Sequence, residues 1–183
     1  MSMFYNLMMR AKEVYAKVFG TPTENPSGVF SDFSNANYLL IEKQLPEDTT
    51  ELQIEITMPS TIPSSGTQTI INAGVFSLSL YNGQVTLYGG SGNTVVIPSS
   101  DMAGGSTYRI LALKENKTFD FSYSKDGGAF TTPTTWTSSA AYASDIRFGN
   151  STISGRRFAG SINFNNTHFK RGNSFWFKGK VKY

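Results

Sequence analysis

Apolar and polar positions alternate with two different periods along the chain, and the change falls near Gly28. Before it, Phe4, Leu7, Met8, Ala11, Val14, Tyr15 and Val18 recur every three or four residues, which draws one apolar stripe on a helix. Ser2 is a capping residue type, Gly20 a left-handed stop, and Pro22 cannot continue the helix. A short amphipathic α-helix is therefore expected over residues 1–20. Residues 21–27, with Pro22 and Pro26, read as a linker. An isolated helix of this length is marginal in water, so the stripe needs burial in its own domain or in an assembly. The linker favours the assembly, and with it a helix that anchors or oligomerises.

From Gly28 the period becomes two and stays there. In Glu51-Leu52-Gln53-Ile54-Glu55-Ile56 the aliphatic residues share one face and the acids the other; in Thr118-Phe119-Asp120-Phe121-Ser122-Tyr123 the aromatics share a face. Strands are expected over Tyr38–Lys43, Glu51–Met58, Val75–Tyr81, Gln84–Tyr88, Tyr108–Lys114, Thr118–Ser124, Phe158–Phe164, Thr167–Lys170 and Ser174–Phe177, among others. Asn82-Gly83 and Asp126-Gly127 are hairpin signals, because type I′ turns need positive φ at both central residues. No helical period interrupts the strands, so βαβ crossovers are excluded. The expected fold is all-β, a two-sheet antiparallel jelly-roll sandwich over residues 28–183 with the short N-terminal α-helix ahead of it.

Composition agrees with one packed domain: 183 residues, 14% aromatic, only 16% charged, and 17 glycines for tight turns. There is no cysteine, so disulfides and thiolate metal sites are excluded, and one histidine rules out a multi-histidine centre. No metal and no cofactor is expected. The first residues carry neither a signal peptide nor a membrane span, so no membrane insertion is expected. Charge is unevenly spread. Residues 1–145 hold all 13 acids and eight of the 16 bases, whereas residues 146–183 hold the other eight bases and no acid. Such a tail suits an acidic partner or simply the solvent side of alternating strands; nucleic acid is not the expected partner.

Catalytic constellations are thin. His168 has no nucleophile elbow near it, and Gly89-Gly90-Ser91-Gly92-Asn93 lacks the Lys-Ser/Thr ending of a phosphate loop. Glu51 and Glu55 lie four apart on one strand face, about 13 Å at roughly 3.3 Å per residue. That is too wide for a glycosidase pair, which needs about 5–5.5 Å for retention and up to about 9.5 Å for inversion. The chain is therefore expected not to be an enzyme. Binding chemistry is better represented. The stretch 131–157 gathers Trp136, Tyr142, Asp145, Arg147 and Asn150, which include a ring to stack on a sugar and polar groups to bond its hydroxyls. The competing reading of Trp136, and the one the residue type favours, is a plug for one end of the core with Tyr142 packed over it.

The order of motifs resembles a known family. Phe76-Ser-Leu-Ser-Leu-Tyr-Asn-Gly-Gln-Val-Thr-Leu-Tyr, Thr107-Tyr-Arg-Ile-Leu-Ala-Leu, Phe119-Asp-Phe-Ser-Tyr-Ser-Lys-Asp-Gly-Gly, Asp145-Ile-Arg-Phe-Gly-Asn and Phe158-Ala-Gly-Ser-Ile-Asn-Phe follow one another. The series is similar to the concanavalin A-like lectin/glucanase superfamily in its laminin-G-like form. The ending, with Phe175-Trp-Phe-Lys-Gly, resembles such domains in tailed-bacteriophage structural proteins. The resemblance implies a virion structural protein of fibre, tail or capsid surface, made in the host cytoplasm, that uses a lectin-like domain for attachment to a host glycan or for particle assembly. It implies other virion proteins and copies of the same chain, a trimer among the forms, as partners. The acidic motif of the glucanase branch is missing. A non-viral carbohydrate-binding or adhesion module and a sugar-independent scaffold are the alternatives.

Overall fold

The computed structural model describes residues 13–89, 92–138, 145–151 and 155–183. Its strands, in chain order, are Ala16–Phe19 (β1), Thr23–Glu24 (β2), Val29–Ser31 (β3), Tyr38–Gln44 (β4), Glu51–Thr57 (β5), Thr67–Asn72 (β6), Ser77–Tyr81 (β7) and Gln84–Tyr88 (β8). They continue as Thr94–Ile97 (β9), Thr107–Glu115 (β10), Thr118–Lys125 (β11), Thr134–Thr137 (β12), Asp145–Phe148 (β13), Ser161–Arg171 (β14), Ser174–Lys178 (β15) and Val181–Lys182 (β16). Sheet A runs β16-β1-β4-β13-β6-β7-β8-β9 and sheet B runs β12-β11-β10-β5-β14-β3-β2, with β15 added to the far half of β14. Among the described residues every strand pairing is antiparallel except β1 with β16, and a single parallel bridge joins Thr69 to Arg157. The expected two-sheet sandwich is therefore present, and no helix occurs among the described residues.

The N-terminal expectation needs correction. Phe4, Leu7, Met8 and Ala11 lie outside the described residues, but the end of the expected helix is a strand. Ala16–Phe19 pairs with β4 on one side and β16 on the other, and the Ala16 amide donates to the Lys180 carbonyl at 2.9 Å. Ala16 is fully buried, Val14 and Val18 pack partly against the core, and Tyr15 is exposed. Two flanking strands satisfy the backbone here, and that non-local pairing overrides a weak local helical period. The expected linker likewise carries β2, which pairs with β3 on the edge of sheet B.

The core forms because alternate residues of both sheets face inward: Leu39 and Ile41 of β4, Leu52, Ile54 and Ile56 of β5, Ile146 and Phe148 of β13, and Ile162, Phe164 and Phe169 of β14. Aromatic rings fill its two ends. At one end Phe76 meets Phe119, Phe121 and Trp136 edge-on, Trp136 tilts against Phe119, and Phe119 stacks on Phe121. Phe30, Phe148, Phe164, Phe169 and Phe177 gather at the other. Buried Tyr108 keeps its hydroxyl satisfied, donating to the Asp101 carbonyl at 2.8 Å and accepting from the Ala103 amide at 2.9 Å.

Strand β14 holds the fold's main irregularity. It advances from Asn163 to His168 while its partner β5 moves only from Glu55 to Gln53. The extra residues bulge out, closed by the Thr167 hydroxyl on the Asn163 carbonyl at 2.8 Å. Before the bulge β14 pairs with β3, and after it with β15. The chain then crosses from sheet B to sheet A through Gly179, where φ is +55° and a Cβ would lie 1.6 Å from the Phe164 carbonyl oxygen. Gly172, in the β14–β15 turn, has the same φ of +55° but open space around it. In urea unfolding, Gly172→Ala should lose about 1 kcal/mol, the left-handed cost alone. Gly179→Ala should lose distinctly more, at least about 2 kcal/mol, because it must also push a backbone carbonyl aside. Equal losses would mean that the crossing is not tightly packed.

Candidate functional site

Outward residues of β10, β5 and β14 form a polar array on sheet B. Glu55, 9% exposed, faces Arg109 on one side and Asn163 on the other in the strand register. One carboxylate oxygen accepts from the amides of Asn163 at 2.7 Å and Asn166 at 2.8 Å, and the other from the Arg109 guanidinium at 3.2 Å. Two residues along, Gln53 donates to the Asn166 carbonyl at 3.0 Å. At the end of the row Glu51 meets His168 Nε2 at 2.8 Å and Lys170 Nζ at 2.7 Å. Burial alone would raise the Glu51 pKa, but these two bonds outweigh it and hold the carboxyl below its ordinary range. The two glutamates share a face, as the alternation requires, and each is committed to its own set of partners.

The array leads onto the β14–β15 hairpin, where charge and aromatic surface coincide. Phe175, 45% exposed, has the Nζ of Lys170 at 5.3 Å and of Lys178 at 5.1 Å from its ring centre, with His168 edge-on at 5.1 Å. Trp176 leans on Phe169 and carries the Nζ of Lys43, from β4, at 5.4 Å. Its indole N–H is buried without an acceptor. A groove of about 660 Å³ runs here between Lys43, Phe175 and Trp176, bordered by Arg171, Lys178 and Lys180. A second groove, about 400 Å³, shares Lys178 and Lys180 and is lined further by Tyr15, Asn165 and Tyr183. Of the seven large apolar side chains exposed among the described residues, Tyr15, Phe175 and Tyr183 line these two grooves.

The cations of the groove are held in two ways. Lys180 is bonded to Glu13, which holds that carboxyl below its usual range, and Tyr15 also donates to Glu13. Arg171 bonds Asp48 at 2.7 Å. Lys43 and Lys178, by contrast, lie over aromatic rings. Among the described residues no three acidic or histidine side chains come together as a metal-ligating set.

The residues singled out from sequence are scattered. Trp136 is a correction: it is 3% exposed, packed on Phe76 and Phe119, with its indole N–H 3.3 Å from the Gly92 carbonyl. The core took the ring, so its face is closed to a ligand. Asn150 is buried and braces a loop, donating to the Ser34 carbonyl at 2.9 Å. Tyr142 lies outside the described residues. Asp145 is exposed at the start of β13, and the Arg147 guanidinium stacks 4.1 Å over Tyr38 on sheet A. Sequence reasoning missed Phe175, Trp176 and Lys43. A run of three aromatics in one alternating strand was the available signal, since they cannot all face the core.

No protein-family model matches the chain, and no curated protein matches it by sequence. Solved structures define its class: the chain has the concanavalin A-like, laminin-G-like fold. It is similar to the enzymatically active domain of tailspike protein 2 of bacteriophage CBA120, with TM-score 0.58 and 15% identity over 91% of this chain and 30% of that one. It is also similar to the LG1-3 region of the laminin α2 chain, with TM-score 0.56 and 13% identity over 85% of this chain and 33% of that one. Domain 4 of the arabinanase AbnA from Geobacillus stearothermophilus, solved in complex with arabinotriose, has TM-score 0.51 and 12% identity over 82% and 78% of the two chains. The chain thus spans about a third of the length of the first two.

A charge test follows from Glu51. Its carboxyl is depressed in the folded protein, so its stabilisation is complete above the ordinary carboxylate pKa and is lost as pH falls through the folded value. Glu51→Gln should cost about 1 kcal/mol at pH 7, and the difference from wild type should close in strong acid. A pH-independent difference in chemical denaturation would show that the ion pairs contribute nothing.

Proposed function

We propose that the chain is a glycan-recognition module on the surface of a phage particle, binding through the aromatic and cationic grooves beside the β14–β15 hairpin. The observation that carries the reading is the meeting of Phe175, Trp176, Lys43 and Lys178 along one 660 Å³ groove. Aromatic rings offer contact with the carbon face of a sugar, and the surrounding cations are donors to its oxygens. The arabinotriose held by the AbnA domain and the tailspike origin of another similar domain support this by analogy of fold. The separate engagement of Glu51 and Glu55 supports binding without hydrolysis, since a glycosidase needs two carboxyls converging on one bond. Copies of the chain and neighbouring virion proteins are the partners this setting implies.

A glycan array decides the matter. Wild-type protein should bind a restricted set of saccharides, and Phe175→Ala should weaken that binding about tenfold, with its thermal midpoint checked as a folding control. Tyr81→Ala, an exposed aromatic on the opposite sheet, should leave binding unchanged. Loss of affinity in both variants, or no binding by wild type to any glycan, would remove the reading.

A further inference from the structure

Resting on that reading, we infer that the groove takes an acidic polysaccharide, one that carries a carboxylate or sulfate on its sugar units. Four cationic side chains from β4, the β14–β15 hairpin and the crossing to β16 border the groove: Lys43, Arg171, Lys178 and Lys180. Arg171 and Lys180 are bonded to Asp48 and Glu13. Lys43 and Lys178 instead lie over Trp176 and Phe175. An ammonium on an aromatic face is held in place while its charge stays available for an anion. The Phe175 ring also has Lys170 and the edge of His168 against it, so positive charge gathers around an aromatic surface that is still 45% exposed.

The spacing of charge favours a polysaccharide over nucleic acid. Glu13, Asp48 and Glu51 interleave with the cations, which breaks the continuous positive track that a phosphate backbone follows. What is left is Lys43 and Lys178, each held at its own ring and free to meet an isolated anion along a sugar chain.

The test titrates wild type and the Lys43→Gln/Lys178→Gln double variant by calorimetry with polygalacturonate, carboxyl-reduced polygalacturonate, dextran sulfate, dextran and a single-stranded oligodeoxynucleotide. At least one acidic polymer should bind about tenfold or more tighter than its neutral counterpart, and the double variant should lose that preference while keeping its thermal midpoint. The polygalacturonate and dextran sulfate arms separate carboxylate from sulfate recognition. Equal binding of acidic and neutral polymers, still weakened by Phe175→Ala, would overturn this inference and leave the glycan reading standing. No saccharide binding at all would overturn both. Oligonucleotide binding as tight as that of the acidic polymers, lost in the same double variant, would overturn it in favour of nucleic acid.

Discussion

A carboxylate on the outward face of a sheet ordinarily sits in water, yet Glu55 is 9% exposed and collects bonds from Arg109, Asn163 and Asn166. A buried carboxylate without partners costs several kcal/mol, so these three side chains are a condition of placing it there. Asn163 and Asn166 reach the same oxygen only because β14 bulges between Asn163 and His168. The bulge in turn lets β14 leave β3 and take up β15. The position of the hairpin, and of Phe175 and Trp176 on it, thus traces back to one acid three strands from the edge of sheet B.

The core tolerates this irregularity because its rings pack on either side of it. Phe164 lies within the bulged stretch and Phe169 just beyond it, and both turn inward against Phe148. A regular strand would alternate them to opposite faces, since their separation is odd. The extra residues restore the phase. The same stretch supplies the Phe164 carbonyl that crowds Gly179, so core, bulge and crossing are fitted to one another. Change at any of them reaches the groove through backbone position, not through loss of a contact there.

The sandwich was legible because its information is local. Alternation in Glu51–Thr57 and Thr118–Lys125, and the Asn82-Gly83 turn with both residues at positive φ, depend on neighbours one or two positions away. Ala16–Phe19 was not legible as a strand, since what makes it one is pairing with β4 on one side and, on the other, with β16 at the far end of the chain. Val14 and Val18 fit a helical stripe, but Ala16 and Val18 fit a strand equally well, and only the pairing decides. Trp136 shows the same limit at the site. A tryptophan in a loop-rich stretch is chemically suited to a ligand, and the need to fill the core end beside Phe76 prevailed. The groove escaped notice because Lys43 and Trp176 meet only through tertiary packing.

Folding also rearranges the charge. The last 38 residues carry eight bases and no acid, which along the chain resembles a basic tail. In the structure β14 lies between β5 and the pair β3 and β15, and β16 lies beside β1, so this basic end is interleaved with the acidic first half. Lys170 finds Glu51, Arg171 finds Asp48, and Lys180 finds Glu13. The asymmetry is therefore partly spent inside the fold as ion pairs, of which the exposed Arg171–Asp48 and Lys180–Glu13 contribute only modestly to stability. Lys178 falls outside this scheme. It lines the same groove as Lys43, and each of the two ammonium groups is held over a ring and not by a carboxylate. An anionic ligand supplies both with the opposite charge that Lys170, Arg171 and Lys180 find within the chain. The arrangement is one in which binding an acid stabilises the protein that receives it.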